Sequence, residues 1–473
     1  MDHLISWNLE QWRPLGAVWF SPGSIPSQLF LLLGGVFLGG CLCQWIPSKQ
    51  RKFIFRFFVF SYLSRVIVSY ILYLFSFFSK RPGAFLGADD YVYMYNGLGL
   101  SRLLDAGVKV DFYRGMETFT SSMTEEGSFG IVTHLPYTLY NVFLFQWLGN
   151  HPLSVLITNC LMGAILIFPL FFLGKELFNS ESGKIAAVCG AFYPSAFLWS
   201  TQNLKEPVFN LMVVLLFLVF VRFRKTYNLI HLILIGVSTY LIGLIRSPIH
   251  WLLIGGLLIG WIVSSRRVLI AVIIAISLAC FSYPGLVKRQ IERLSQYVLL
   301  VSNTGQNEVQ KNYALMKGET PSLIRGVNQL REVRSLGTAF LPELSLDRWE
   351  SISYLWPVLL MITLTVPYPW QMTRLTVSFG AMEMILWYFL IPATLWGIGY
   401  SLKKQFSLTL SLLIPIVVYA VVIGFLDANI GLLVRQRGIV LLNLFIFTGA
   451  GFVYKKRLEE SQRNQNPDSL GIV

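Results

Sequence analysis

The feature that most constrains this chain is a recurring apolar stretch about as long as a bilayer is thick. A helix needs about 20 mostly apolar residues to cross the hydrocarbon core. Such stretches lie near 27–46, 57–78, 152–173, 185–201, 207–222, 229–246, 250–265, 268–284, 380–401, 406–425 and 438–454. The chain is therefore expected to be an all-α polytopic membrane protein with about eleven transmembrane helices. Composition points the same way. Of 473 residues, 55% are hydrophobic and 13% are charged, whereas soluble chains run near one quarter charged. So little charge hardly covers a soluble surface of this size.

The basic residues set the orientation, because Lys and Arg collect in short cytoplasmic loops. Lys49, Arg51, Lys52 and Arg56 lie between the first two runs. Lys175 and Lys184 follow the third, and Arg222, Arg224 and Lys225 the fifth. Arg266 and Arg267 follow the seventh, Lys403 and Lys404 the ninth, and Lys455, Lys456 and Arg457 the last. Every second loop is basic. The N-terminus is then outside and the C-terminus cytoplasmic, in a multi-pass protein of the cell (inner) membrane. Residues 1–26 show no basic start before an apolar core, so the first helix is expected to remain as an anchor.

Trp and Tyr at the borders of the runs, such as Trp45, Tyr62, Trp199, Trp261 and Trp387, fit rings at headgroup level. The net charge of +14 would suggest nucleic acid in a soluble protein. Here the basic residues punctuate apolar segments, so topology and phosphate-bearing lipids account for them, and no nucleic-acid partner is expected. Cys41, Cys43, Cys160, Cys189 and Cys280 all fall inside apolar stretches, without zinc-site spacing or a disulfide framework.

The expected organisation is two N-terminal spans (1–78), a first outer loop (79–151), a six-helix body (152–284), a second outer loop (285–379), three C-terminal spans (380–454) and a cytoplasmic tail (455–473). The stretch 351–366 is apolar but short, and Pro357, Pro367 and Pro369 bracket it. It reads as interfacial or re-entrant, because a twelfth span would move Lys403, Lys404 and the basic tail outside.

Candidate chemistry gathers on the outer side. Gly87-Ala88-Asp89-Asp90-Tyr91 opens the first outer loop. Adjacent carboxylates repel each other, and burial raises their pKa further. Such a pair suits positioning a cation, a proton or a substrate hydroxyl; it also suits capping the helix expected at 91–104. That helix and a second at 131–148 read as amphipathic and interfacial.

The turn Trp199 to Pro207 places Lys205 and Glu206 at the start of a span. Glu206 suits the helix dipole there. Lys205 does not, and anion binding accounts for it. Arg246 ends the next span, either as a snorkelling anchor or as a bidentate phosphate contact. Arg435 and Arg437, at an outer membrane end, run against the inside-positive bias and point to an anion site. Arg65 lies within a span and needs a partner or a wet cavity. His134 is a further candidate in the first outer loop.

These residues resemble the GT-C superfamily of polytopic glycosyltransferases, which take sugars from polyprenyl-phosphate lipids. The resemblance rests on the acidic motif at 87–91, on the run from Phe192-Tyr193-Pro194-Ser195 to Lys205-Glu206-Pro207, and on the stretch from about 129 to 247. It covers about a third of the chain. It implies inverting transfer from a polyprenyl-phosphate-linked sugar to a lipid, glycan or protein acceptor. Asp89 matches the general base and Asp90 the alternate or supporting carboxylate. Lys205, Arg246, Arg435 and Arg437 are candidates to stabilise the leaving phosphate. Some members use a divalent metal; the cofactor here is left open. A polysaccharide polymerase or O-antigen ligase would share the polytopic plan and the Arg-rich outer loop. A transporter or flippase would show mid-membrane charges and inverted repeats, which are sparse here apart from Arg65.

Overall fold

The structure is a computed structural model, and it describes residues 25–78, 88–107, 131–246, 249–265, 351–371, 375–427 and 429–465. The described residues are helical, without a strand. Six of their helices are long and apolar enough to cross a membrane: Ile25–Cys43, Ser48–Phe75, Pro152–Leu177, Glu206–Thr226, Gly380–Leu426 and Gly438–Leu458. Leu229–Ile245, Ile249–Ser264 and Leu355–Thr365 are shorter apolar helices. The run expected at 268–284, and most of the second outer loop, lie outside the described residues. The chain divides into two units, residues 1–219 with 233–246, and residues 220–232 with 247–473.

In the first unit, α1 (Ile25–Cys43) packs on α2 (Ser48–Phe78), and both pack on α5 (Pro152–Ile165). On α2 the inward face carries Ile54, Phe58, Ser61, Tyr62, Arg65 and Ser69, all buried. Phe60, Leu63, Ile67, Ile71 and Phe75 face out. Polar groups inside and large apolar groups outside are the arrangement lipid selects. The helices α1 and α2 approach closely at two glycines, Gly35 beside Tyr62 and Gly39 beside Phe58. This small-xxx-small spacing opens a groove on α1 that receives the two rings.

The helices α3 (Ala88–Asp105) and α4 (Ile131–Leu148) pack together and correspond to those expected in the first outer loop. The helix α6 (Ile167–Leu177) continues α5 and packs on α7 (Ser180–Phe192). The expected span 185–201 is not one helix. Tyr193 is extended, at φ −60° and ψ 124°, between α7 and the short α8 (Pro194–Trp199). The cause is Pro194, which disfavours the helical region for the residue before it.

The helices α9 (Glu206–Thr226) and α10 (Leu229–Ile245) run through the division between the units. The second unit holds α11 (Ile249–Ser264), α12 (Ser351–Thr365), α13 (Leu375–Leu426), α14 (Ile430–Gln436) and α15 (Gly438–Gln465). At 52 residues α13 is too long for one crossing, and it breaks at Gln405, with φ −147° and ψ 59°. The Ser401 and Thr409 hydroxyls hydrogen-bond each other. In a straight helix these residues would stand about 12 Å apart along the axis. The chain therefore folds back beside Lys403 and Lys404, and α13 is two apolar arms. One arm meets α15, where Gly397 and Gly451 approach each other's helix and Thr394 bonds Thr448 at 2.7 Å. The other meets α11 and α12, through Ser411 against Gly260 and Gly424 against Leu359.

Candidate functional site

The acidic pair lies in the first turn of α3, where a carboxylate complements the helix dipole. Asp89 is described only by its backbone. Asp90 is 5% exposed. Its Oδ1 accepts a hydrogen bond of 3.0 Å from the Asn203 backbone N–H. Asn203 belongs to the polar turn between α8 and α9, more than a hundred residues downstream. The helix α3 and the Lys-Glu-Pro turn thus meet in one place.

That turn is buried throughout. Thr201, Gln202, Asn203, Leu204, Lys205 and Glu206 are each at most 4% exposed. Side chains reach its carbonyls. The Asn159 amide on α5 donates to Gln202 O at 2.8 Å and Leu204 O at 3.0 Å. The Tyr137 hydroxyl on α4 lies 2.8 Å from Leu204 O and 3.0 Å from Asn203 Oδ1. Burial above all, then the neighbouring Tyr140, push the Tyr137 phenol well above its usual range; the Asn159 hydrogen bond acts the other way. Tyr137 is therefore a neutral donor.

Two cations flank the turn. Lys205 is buried at its end. Arg246, just past α10, pairs with Glu206 at 3.2 Å and stacks on the Phe209 ring, 5.2 Å from its centroid. Arg246 Nη1 is buried and has no hydrogen-bond partner among the described residues.

Arg65 anchors the turn from the α2 side. Its guanidinium is fully buried and donates to the Ser200 hydroxyl at 2.8 Å, to Ser61 and to Ala191 O, and it stacks on Phe197. The partners this charge needs are hydroxyls, carbonyls and a ring.

Of the remaining candidates, His134 belongs to the first unit and two arginines to the second. The His134 backbone is in the first turn of α4, and its side chain is not described. Arg435 and Arg437 belong to the second unit. Arg437 is fully buried and gives Nη2 and Nε to Glu383 Oε1, at 2.8 and 3.2 Å, and Nη1 to Val366 O. Arg435 is half-buried on α14. Among the described residues, no group of three or more His, Cys, Asp or Glu is placed to hold a metal ion.

Sequence reasoning singled out the carboxylates and cations but missed Tyr137, Asn159 and Asn203. A signal was present in Asn159, an amide inside an apolar run.

Residues 134–287 match the dolichyl-phosphate-mannose-protein mannosyltransferase family. This is a GT-C membrane glycosyltransferase family, as the sequence resemblance implied. The match spans about a third of the chain and takes in His134, Tyr137, Asn159, the buried turn, Lys205, Glu206 and Arg246. Asp89 and Asp90 precede it. No curated protein and no solved structure matches the chain. The match supports a multi-pass membrane glycosyltransferase that uses a lipid-linked sugar.

Proposed function

We propose that this GT-C chain moves a sugar from a polyprenyl-phosphate donor to an acceptor hydroxyl at the outer face of the cell (inner) membrane, with inversion. Asp89 accepts the hydroxyl proton as the oxygen attacks the anomeric carbon. The bond from that carbon to the lipid phosphate breaks, and the phosphate leaves with its electron pair. Asp90 is the supporting carboxylate. Lys205 and Arg246 stabilise the charge growing on the leaving phosphate, where fixed cations in a dry site act most strongly. Glu206 holds Arg246. Arg435, Arg437 and His134 are further proposed phosphate contacts, Arg437 from within its pair with Glu383. The full plan has about eleven spans, with the N-terminus outside, the C-terminus cytoplasmic and 351–366 interfacial or re-entrant.

One observation carries this reading. The Asp90 carboxylate touches the turn that bears Lys205 and Glu206, and that turn lies inside the matched family segment. This contact supports a site in which the carboxylates of α3 work together with the cations beside the turn.

The test uses the full chain in nanodiscs with a panel of radiolabelled polyprenyl-phosphate hexoses and pentoses, mannose included, and mixed membrane glycans as acceptors. Asp89→Asn should lower transfer by about a hundredfold or more, the scale of a lost general base, while donor binding persists. Transfer by that variant at the wild-type rate would sink the assignment.

A further inference from the structure

The Asn203 N–H aims at Asp90 although it sits in a turn without regular structure. We propose that Tyr137 and Asn159 are positioning residues that fix this turn, so that the Asn203 N–H is held on the Asp90 carboxylate. Only the catalytic consequence rests on the proposed function; the positioning stands on geometry.

The turn is gripped at three consecutive residues. Asn159 holds Gln202 O and Leu204 O, on either side of Asn203. The same amide donates to the Tyr137 hydroxyl at 2.8 Å. A hydroxyl has one proton, so a donor on its lone pairs turns that proton toward Leu204 O or Asn203 Oδ1. Tyr137, Asn159, Asn203 and Leu204 are all at most 2% exposed, so water offers these groups no alternative partner.

The helix α4 also locates Asp90 itself. Asn141 donates to Tyr93 O at 3.2 Å, three residues along α3 from Asp90. The Tyr93 ring meets Tyr137 edge-on, with centroids 4.9 Å apart. A Cβ on Gly97 would lie 2.7 Å from Asn141 Cβ, so α3 and α4 sit too close to slide. One helix therefore references both ends of the hydrogen bond. A hydrogen bond to the ionised form keeps a carboxylate ionised, which suits a supporting carboxylate beside a general base.

The experiment reads the Asp90 protonation state without any sugar substrate. The full chain in nanodiscs is treated with dicyclohexylcarbodiimide, which attacks protonated carboxyls in apolar surroundings, and the Asp90 adduct is quantified by mass spectrometry. Asp90→Asn identifies the peptide by losing the adduct. Tyr137→Phe and Asn159→Ala should each raise Asp90 labelling at neutral pH about threefold or more, the protonation change for about half a pKa unit. Tyr140→Phe is the control. It removes from the same helix a hydroxyl that has no hydrogen-bond partner among the described residues, and it should label like wild type. Wild-type labelling in Tyr137→Phe, which keeps the ring and the packing, overturns the proposal even if Asn159→Ala fails to fold.

Sugar transfer is measured on the same preparations. If Asp90→Asn transfers normally while Tyr137→Phe still raises labelling, the catalytic reading of Asp90 fails and the positioning stands. If labelling is unmoved while Asp90→Asn is inactive, the positioning fails and the catalytic reading stands.

Discussion

Arg437 Nη2 meets Glu383 Oε1 at 2.8 Å, with both side chains fully buried. Arg437 Nη1 also donates to Val366 O. The pair thus ties the start of α15 to the first arm of α13 and to the chain leaving α12. Removing one partner of a buried pair leaves an uncompensated charge and costs about 3–5 kcal/mol. Replacing both by apolar residues of similar size is far milder. Glu383→Gln should therefore melt well below wild type in nanodiscs, and Glu383→Leu with Arg437→Met should recover most of the loss. A double variant less stable than either single would refute this account.

Arg246 offers a test of the basic half of the proposed site. It is 10% exposed and held by Glu206 Oε1. Lysine keeps the charge but loses both the fork and the stack on Phe209. Arg246→Lys should lower kcat by about tenfold, and Arg246→Ala by about a hundredfold, the range for a lost stabilising donor. Steady-state kinetics together with melting curves separate catalysis from folding. Wild-type kcat in Arg246→Lys would make this residue an anchor alone.

How much of this was legible in the sequence differs between fold and site. Apolar length found the six long helices, and the charges Lys403 and Lys404 marked the reversal in α13. Pro194 marked the break that length alone hid within 185–201. The carboxylates and the Lys-Glu-Pro turn were visible because they interrupt apolar text. Their partners were not. Arg65 is satisfied by Ala191 O and Ser200, 126 and 135 residues away, and nothing local encodes those distances. Tyr137 and Asn159 look like ordinary tolerated polar residues until folding sets them around one turn. Glu383 was readable in principle, since a carboxylate inside an apolar span requires a partner, and that partner proved to be Arg437.

Packing of the first two helices makes a separate prediction. A Cβ on Gly39 would run into the Phe58 ring, and one on Gly35 would lie 2.7 Å from Tyr62 Cε1. The Tyr62 hydroxyl is fixed by Leu31 O at 3.0 Å, so that ring cannot swing aside freely. Gly39→Val should destabilise by about 1–3 kcal/mol, as overpacking does. Adding Phe58→Ala opens the space, so the double variant should lose less than the sum of the singles. Simple additivity across the melting cycle would show that α1 and α2 separate without cost.

The end of α3 carries a pH-sensitive tie. Asp105 accepts Asn150 Nδ2 through Oδ2 and Gln146 Nε2 through Oδ1, each at 2.9 Å. The Asn150 bond first, and the Gln146 bond second, lower its pKa from the ordinary 3.8, against a small opposing effect of burial. The folded value is the depressed one. The tie is therefore fully present above the unfolded pKa and weakens as pH falls through the folded value. Ser101 shares the network, accepting from Gln146 and donating to Asn150 Oδ1 at 2.8 Å, so the last turn of α3 should loosen as a unit. Amide exchange over 102–107, corrected for its intrinsic pH dependence, should rise in wild type as the pH drops below about 4. Asp105→Asn cannot titrate and should show a flat profile. Equal pH dependence in the two proteins would place the acid-sensitive group elsewhere.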